Sequence, residues 1–285
     1  MRGSRRRVLL QAEAGDMAGL LQTVGATPGR HIPVPGTLNF RDVGGYPLAG
    51  GGFIGWRRLL RSDGLHRLGR GATEALAALK LRTVLDLRTS GEAQIAPSPL
   101  EELAGLGALT MHVSLLGEDL DALPAELGAI YDYAVDRRGA SIAAAIRTLA
   151  RAGGLPALVH CAAGKDRTGI VVAFALAAVG VPDQVVAADY ALSSLYLDPL
   201  HTPTIAQVRE GTGLGDRLTA ALLASPPQLI MRTLARARRH GGSIEGYLTG
   251  HGVPSAELAA LRSALAQGST EGEDGNEAQD ADVAR

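Results

Sequence analysis

The chain has 285 residues, of which 46% are hydrophobic and 20% are charged. This length and composition are typical of one soluble globular domain with a large buried core. The formal net charge of −1 gives no overall attraction for nucleic acid or for an anionic membrane surface. We therefore expect no nucleic-acid partner, and any anion-binding site must be local.

Cys161 is the only cysteine in the chain. This excludes an intramolecular disulfide and a thiolate-rich metal site, and it suits a reducing compartment. The basic N-terminus is followed by a short apolar run, Val8 to Leu10, which is far shorter than the core of a secretory signal peptide. The longest apolar stretch, Ile170 to Val181, has about a dozen residues, too few to span a bilayer. We expect a cytoplasmic protein without an integral membrane segment.

Strands and helices alternate along the middle of the chain, which predicts an α/β fold. Periodicity and turn residues predict strands at 82–88, 109–115 and 155–160, and helices at 73–80, 124–137 and 140–151. An apolar helix follows at 168–179, and the C-terminal third is predicted to be helical near 183–193, 215–224, 226–240, 243–250 and 254–267. Residues 1–30 and 268–285 lack such patterns, so we expect disordered ends around a domain at 31–267.

The third predicted strand leads into a loop that is suited to binding a tetrahedral dianion. Cys161 is followed by five residues and then by Arg167, and Gly164 and Gly169 permit a tight path into the next helix. Backbone N–H groups of such a loop converge at a helix N-terminus, where the helix dipole adds positive potential. The predicted phosphate-binding residues are Ala162, Ala163, Gly164, Lys165, Asp166 and Arg167.

Three side chains of this loop predict covalent catalysis on a phosphate ester. The same positive field favours an anionic sulfur on Cys161, which would attack phosphorus and form a phosphocysteine. Arg167 offers a planar fork that can hold two phosphoryl oxygens. Thr168 can donate its hydroxyl to the sulfur and help it to leave when water hydrolyses the intermediate. His160 is expected either to orient backbone groups of the loop or to be an ordinary core residue.

Three other interpretations of the loop make different predictions about its ligand. Gly164-Lys165 is similar to the end of a nucleotide-binding phosphate loop, but that motif needs Ser or Thr where Asp166 stands and Gly where Val159 stands. We therefore expect no nucleotide, metal or other cofactor. A rhodanese-like sulfurtransferase and a catalytically silent phosphate-binding module stay open as alternatives. The arginine and threonine of the loop argue against the first, and the presence of both cysteine and arginine argues against the second.

The run HCAAGKDRTG at 160–169 resembles the signature of the protein tyrosine phosphatase superfamily. In particular it is similar to bacterial tyrosine and dual-specificity phosphatases that also dephosphorylate phosphoinositides. Further similar segments are LNFRDVGGY at 38–46, LRSD at 60–63, VLDLR at 84–88 and GSIEGYL at 242–248.

This resemblance implies a central, mostly parallel sheet flanked by helices, with a helical lid within about 183–240. It implies Cys161 as the nucleophile and Arg167 as the phosphate clamp. The implied partners are phosphorylated proteins or phosphoinositides: phosphotyrosine as substrate, with phosphoserine, phosphothreonine and phosphoinositides in addition.

The general acid that protonates the leaving group has two candidates. Asp166 lies inside the loop, and the matching residue has this role in the resembling family. Asp86 ends an apolar strand, where α/β enzymes place functional groups, but a carboxylate there can equally pair with Arg88 or Arg61. Lys165 is predicted either to reach a second anionic group, such as another phosphate on an inositol ring, or to be a solvated loop lysine.

Two further predictions concern residues outside the loop. Arg41 and Asp42 are predicted to form an ion pair that supports the structure. Tyr190, Tyr196 and Met231 have a helical spacing that fits either the substrate entrance or the core.

Overall fold

The computed structural model describes residues 17–197 and 224–268 of the chain. The strands in these residues are β1 (Arg41–Asp42), β2 (Phe53–Ile54), β3 (Leu59–Ser62), β4 (Thr83–Asp86), β5 (Leu109–His112), β6 (Ala157–His160) and β7 (Ala266–Gln267). Five of them form one sheet in the order β1-β3-β6-β4-β5, in which the last four are parallel and β1 is antiparallel to β3. β2 and β7 form a separate antiparallel pair.

The central strands of the main sheet, β4 and β6, are buried along their whole length. Mostly apolar strands of this kind are typical of parallel sheets that are covered by helices on both faces. Parallel strands place their carboxyl ends at one edge, so the loops that follow β3, β4, β5 and β6 meet there. The predicted α/β fold with a mostly parallel sheet is confirmed.

Helices cover both faces of the sheet. The α-helices in the described residues are α1 (Met17–Gly25), α2 (Ala72–Ala77), α3 (Ser90–Ile95), α4 (Leu100–Gly105), α5 (Leu127–Arg137), α6 (Gly139–Ala150), α7 (Asp166–Val179), α8 (Asp183–Tyr196), α9 (Pro227–Gly241), α10 (Ile244–Gly250) and α11 (Ser255–Leu265). α7 is buried almost throughout, because it packs on the sheet and against α6, α8, α9 and α11. A smaller core on the other face includes Leu76 of α2 and Leu103 of α4.

The N-terminal end differs from the sequence prediction. Residues 1–30 are predicted to be disordered, but α1 packs against α8 and buries Leu20 and Val24 in the larger core. These two residues lie one helical turn apart, and a nine-residue helix offers too few apolar positions to show a clear period. Residues 1–16 and 269–285, for which disorder is also predicted, lie outside the described residues.

The described residues of the C-terminal third are largely helical, as predicted, and α8 to α11 coincide with predicted segments to within a few residues. Residues 198–223 lie outside the described residues, and they include most of the predicted helix at 215–224 and the middle of the region to which the resemblance assigns a lid. None of the described helices combines the length and the apolar character needed to cross a membrane.

Candidate active site

The loop predicted to bind phosphate lies at the carboxyl edge of the sheet, between β6 and α7. Gly164 has a φ of 66°, and a Cβ added there would lie 2.2 Å from the carbonyl oxygen of Ser62 in the neighbouring strand. A Cβ added to Gly169 would lie 2.8 Å from the ring of Tyr190. Both positions therefore require glycine, because the loop and the start of α7 approach other elements more closely than a side chain permits.

Two buried side chains hold the carbonyl groups of the loop from behind. Asn39 Nδ2 donates to the carbonyl oxygens of Ala163 and Gly164, each at 3.0 Å. Arg61 Nη2 donates to the Gly164 carbonyl oxygen at 2.8 Å. In a trans peptide the C=O and N–H groups point in opposite directions. Because these carbonyl oxygens point to the rear of the loop, the N–H groups of the same peptide bonds point to its front. An anion-binding cradle requires this arrangement.

Asp189 of α8 supplies the negative charge behind the loop. Its carboxylate oxygens accept hydrogen bonds from Arg41 Nε at 3.2 Å, from Arg61 Nη1 at 2.6 Å and from the Tyr46 hydroxyl at 2.9 Å. Burial alone would raise the pKa of Asp189, but Arg41 and Arg61 outweigh burial and lower this pKa to about 2. The carboxylate is therefore charged at neutral pH and ties α8 to the strands beneath the loop.

The predicted ion pair between Arg41 and Asp42 is wrong. Asp42 accepts hydrogen bonds from the backbone N–H groups of Gly44 and Arg57, at 2.7 and 2.8 Å. Consecutive residues of a strand point to opposite faces of the sheet, so these two side chains diverge. The Arg41 side chain reaches Asp189 instead.

The predicted nucleophile and its neighbours are buried at the start of the loop. Cys161 is a free, buried thiol. The Thr168 hydroxyl is also buried and has no hydrogen-bond partner among the described residues, which is compatible with its predicted role toward the sulfur. Burial lowers the pKa of His160 to about 4, so the ring is neutral at pH 7. Its Nδ1 atom lies 3.4 Å from the Cys161 carbonyl oxygen, which fits the predicted supporting role.

Sequence reasoning missed the partner of Arg167. Both terminal nitrogens of Arg167 donate to the carboxylate of Glu92 on α3, one of them at 2.7 Å. Glu92 is itself fixed, because it forms a reciprocal capping box with Thr89 at the start of α3. Burial acts to raise the pKa of Glu92, but the hydrogen bonds from Arg167 outweigh it and lower this pKa. The spacing Thr89-x-x-Glu92 was the available signal, although it indicates a helix start rather than a partner for the loop.

Asp166 and Lys165 lie at the mouth of the loop. Asp166 is 31% exposed in its side chain, and its Oδ1 atom accepts a hydrogen bond of 2.7 Å from the Tyr131 hydroxyl. Lys165 Nζ lies 3.4 Å from the same oxygen. The Lys165 side chain is only 2% exposed, and its amine donates to the Ala224 carbonyl oxygen at 3.0 Å. The alternative prediction, that Lys165 is a solvated loop lysine, is therefore wrong.

Asp86, the second candidate acid, lies at the end of β4 and is paired with Arg88. Arg88 Nε and Nη2 donate to its two oxygens, at 3.0 and 2.6 Å respectively. Burial opposes the charge, but the hydrogen bonds from Arg88 outweigh burial and lower the pKa of Asp86. A carboxylate held in this way does not carry a proton at neutral pH. The geometry matches the ion-pair alternative left open for Asp86.

The three residues left open between entrance and core belong to the larger core. Tyr190 is fully buried, and Tyr196 and Met231 are partly buried against the same cluster. Tyr190 packs edge-on against Tyr131, with ring centroids 6.1 Å apart. The site therefore combines a buried thiol, a backbone cradle, a fixed guanidinium and a partly exposed carboxyl group. This set can support nucleophilic substitution at a phosphate monoester.

Comparisons with known proteins give one consistent family. The family model described as "Tyrosine phosphatase family" matches residues 32–267. The chain is 28% identical over 229 residues to a tyrosine-protein phosphatase of Nostoc commune, covering 73% of this chain and 74% of that protein. It is 30% identical over 273 residues to the triple specificity protein phosphatase PtpB of Mycobacterium tuberculosis, covering 81% of this chain and 98% of that protein.

Proposed function

Because the chain belongs to the tyrosine phosphatase family and is therefore a phosphoric monoester hydrolase, we propose that it hydrolyses phosphotyrosine, phosphoserine or phosphothreonine, and phosphoinositides through a phosphocysteine intermediate. The single observation that carries the proposal is the loop itself. Its carbonyls are held behind by Asn39 and Arg61, and Arg167 is fixed in front by Glu92. A dianionic phosphoryl group is the ligand that matches a ring of N–H groups beside a fixed guanidinium.

The proposed reaction has two steps. In the first, the Cys161 sulfur attacks phosphorus, the S–P bond forms, the ester P–O bond breaks and Asp166 gives its proton to the leaving oxygen. In the second, water attacks phosphorus and loses a proton to Asp166, the S–P bond breaks, and inorganic phosphate leaves. Arg167 holds phosphoryl oxygens in both steps, and the Thr168 hydroxyl donates to the departing sulfur.

The breadth of substrates is the finer part of the proposal. The relative from Mycobacterium tuberculosis, which this chain covers almost fully, is named a triple specificity phosphatase. The amine of Lys165, which donates to the Ala224 carbonyl oxygen in this structure, is the group that we propose to contact a second phosphate. A catalytic thiol without a second cysteine is protected from oxidation best in a reducing compartment, so we propose that the enzyme acts in the cytoplasm.

A kinetic panel tests the proposal. Phosphotyrosine, phosphoserine and phosphothreonine peptides and short-chain phosphoinositides are compared by kcat/KM at fixed pH and salt, in the presence of EDTA. We expect hydrolysis of all classes by the wild type, no turnover with Cys161→Ser, and retained phosphate binding by that variant. Lys165→Met should lower kcat/KM for phosphoinositides more than for phosphotyrosine. Thiocyanate release from thiosulfate and cyanide without phosphatase activity would indicate a sulfurtransferase instead.

A further inference from the structure

A chain of hydroxyl groups leads from the core to the candidate acid. The Tyr131 hydroxyl of α5 lies 2.7 Å from Asp166 Oδ1 and 2.8 Å from the Tyr190 hydroxyl of α8. We propose that Tyr131 is a positioning residue that holds the Asp166 carboxylate at the mouth of the loop and sets the pH range in which this residue can give up its proton. The inference rests on the proposed function, in which Asp166 is the general acid.

The direction of the hydrogen bonds follows from the number of protons. A phenol has one proton to donate, and an ionised carboxylate can only accept. Tyr131 therefore donates to Asp166 and accepts from Tyr190 whenever Asp166 is ionised. Burial and the nearby Asp166 carboxylate raise the pKa of Tyr131 well above its ordinary value, so the phenol keeps its proton in any physiological buffer.

The two tyrosines have no freedom to leave this arrangement. Both are fully buried, and their rings pack edge to face. The Asp166 side chain is 31% exposed and would otherwise be free to choose among rotamers that point to solvent. A bond to a fixed phenol selects the rotamer in which one carboxylate oxygen is anchored, and this is the geometric requirement for proton transfer to a bound ester.

The groups that face this carboxylate come from three elements. The charged or titratable ones are Lys165 and Arg167 of the loop, Tyr131 of α5 and Tyr190 of α8. Tyr131 makes the shortest of the contacts described. Its hydroxyl contacts the carboxylate directly and, unlike Lys165 or Arg167, can be removed without changing any formal charge. Its loss withdraws a donor that favours the charged form of the carboxylate.

The test compares three Tyr→Phe variants, each lacking one buried hydroxyl. For Tyr131→Phe we expect the basic limb of the kcat/KM profile to move to higher pH by about one unit, because a hydrogen bond to a charged group is lost. We also expect kcat for a poor leaving group, such as an alkyl phosphate, to fall about tenfold, while p-nitrophenyl phosphate is nearly unaffected. Tyr190→Phe should move the limb in the same direction by less.

Tyr247→Phe is the matched control. The Tyr247 hydroxyl is also buried and donates to a backbone carbonyl, that of Val135, at 2.6 Å. Among the described residues, no hydrogen bond joins Tyr247 to the loop at 160–169. Its pH profile should equal that of the wild type, although it loses a comparable hydrogen bond. The double variant Tyr131→Phe with Asp166→Asn should behave as Asp166→Asn alone.

The outcomes separate the two proposals. A wild type without phosphatase activity overturns the proposed function. If the wild type is active, three results overturn this inference alone. The basic limb of Tyr131→Phe coincides with that of the wild type, or it moves to lower pH, or the limb of Tyr247→Phe moves by the same amount. If Tyr131→Phe does not fold, the Tyr190→Phe profile decides: a limb that moves to higher pH supports the inference, and one that coincides with the wild type contradicts it.

Discussion

Two groups of polar and charged side chains hold the catalytic loop, and they differ in how completely they are removed from water. Behind the loop, the rear cluster consists of Asn39, Arg41, Arg61 and Asp189, and its three charged side chains are at most 1% exposed. In front, the front pairs are Arg167 with Glu92 and Asp166 with Tyr131, whose charged members are 11 to 31% exposed.

The difference corresponds to two tasks. The rear cluster fixes the backbone of the loop, and the N–H groups of this backbone need not move during the reaction. In the proposed reaction the front pairs hold the side chains that exchange protons or follow charge as bonds break, so these side chains must remain accessible to substrate. We therefore expect changes in the rear cluster to act mainly on stability and phosphate binding, and changes in the front pairs to act mainly on turnover.

The largest effect is expected from Asp189→Asn in the rear cluster. This change leaves Arg41 and Arg61 buried without a counter-charge, and breaking a buried ion pair costs about 3–5 kcal/mol of unfolding free energy. The control, Asp183→Asn on the same helix, breaks a surface pair with Arg238 and should cost under about 1 kcal/mol. Urea unfolding measures the free energy of unfolding of both variants. Similar losses in the two variants would contradict the distinction between buried and accessible charged groups.

Glu92→Gln is the corresponding change in a front pair. Glutamine still fits the capping box of α3, so we expect little loss of stability, but the charge that orients Arg167 is gone. The value of kcat/KM for a phosphotyrosine peptide should fall about 100-fold. Glu118→Gln is the control. Glu118 accepts a hydrogen bond from the backbone N–H of Ser90, which lies on α3 as Glu92 does. This substitution should leave kcat/KM unchanged. A large loss of stability without loss of kcat/KM would show that Glu92 stabilises the fold and does not orient Arg167 for catalysis.

The buried His160 predicts a dependence of stability on pH. Its folded-state pKa of about 4 lies below the ordinary value of 6.5, so the unfolded chain binds more protons between these values and stability falls as the pH is lowered through them. Between pH 7.5 and pH 5 the loss should be about 2 kcal/mol. The carboxylates with lowered pKa values lose their contributions mainly below about pH 5. His160→Gln should therefore show a flatter profile over this range, and an unchanged profile would contradict the assignment.

The smallest effect is expected from Asn39→Leu. The variant keeps the volume of the side chain and leaves the Ala163 and Gly164 carbonyls without their amide donor, although Arg61 still holds Gly164. The inhibition constant of inorganic phosphate should rise about tenfold, because the N–H groups of the loop are less well oriented. A lower kcat with unchanged phosphate inhibition would instead place Asn39 with the front pairs.

The parts of this molecule that can be predicted from sequence are those encoded by neighbours in the chain. The cysteine loop is a run of ten residues, and α7 and β6 on either side of it are continuous apolar segments. The contacts that hold the loop join residues far apart in the chain: Glu92 and Arg167 are separated by 75 positions, and Asn39 and Gly164 by 125. No local pattern encodes such a pairing.

The pair predicted between Arg41 and Asp42 shows the opposite error. Adjacency in sequence suggested contact, but the alternation of a strand sends the two side chains to different faces, and Asp189 lies 148 residues away from Arg41. The choice between Asp86 and Asp166 also depended on tertiary structure. Both carboxylates end or begin an element at the same edge of the sheet, and they differ in their contacts: Arg88 binds both oxygens of Asp86, whereas Asp166 accepts from the Tyr131 hydroxyl and is partly exposed.

The solitary thiol of Cys161 has a practical consequence. Because the loop residue is the only cysteine, an alkylating reagent or a thiol-reactive fluorophore can modify the protein at one place, with no background from other sulfurs. The fraction of molecules that react counts functional active sites directly, and the protection given by phosphate reports occupancy of the loop. The unaltered protein thus provides its own single-point label, without the cysteine replacements that such measurements usually require.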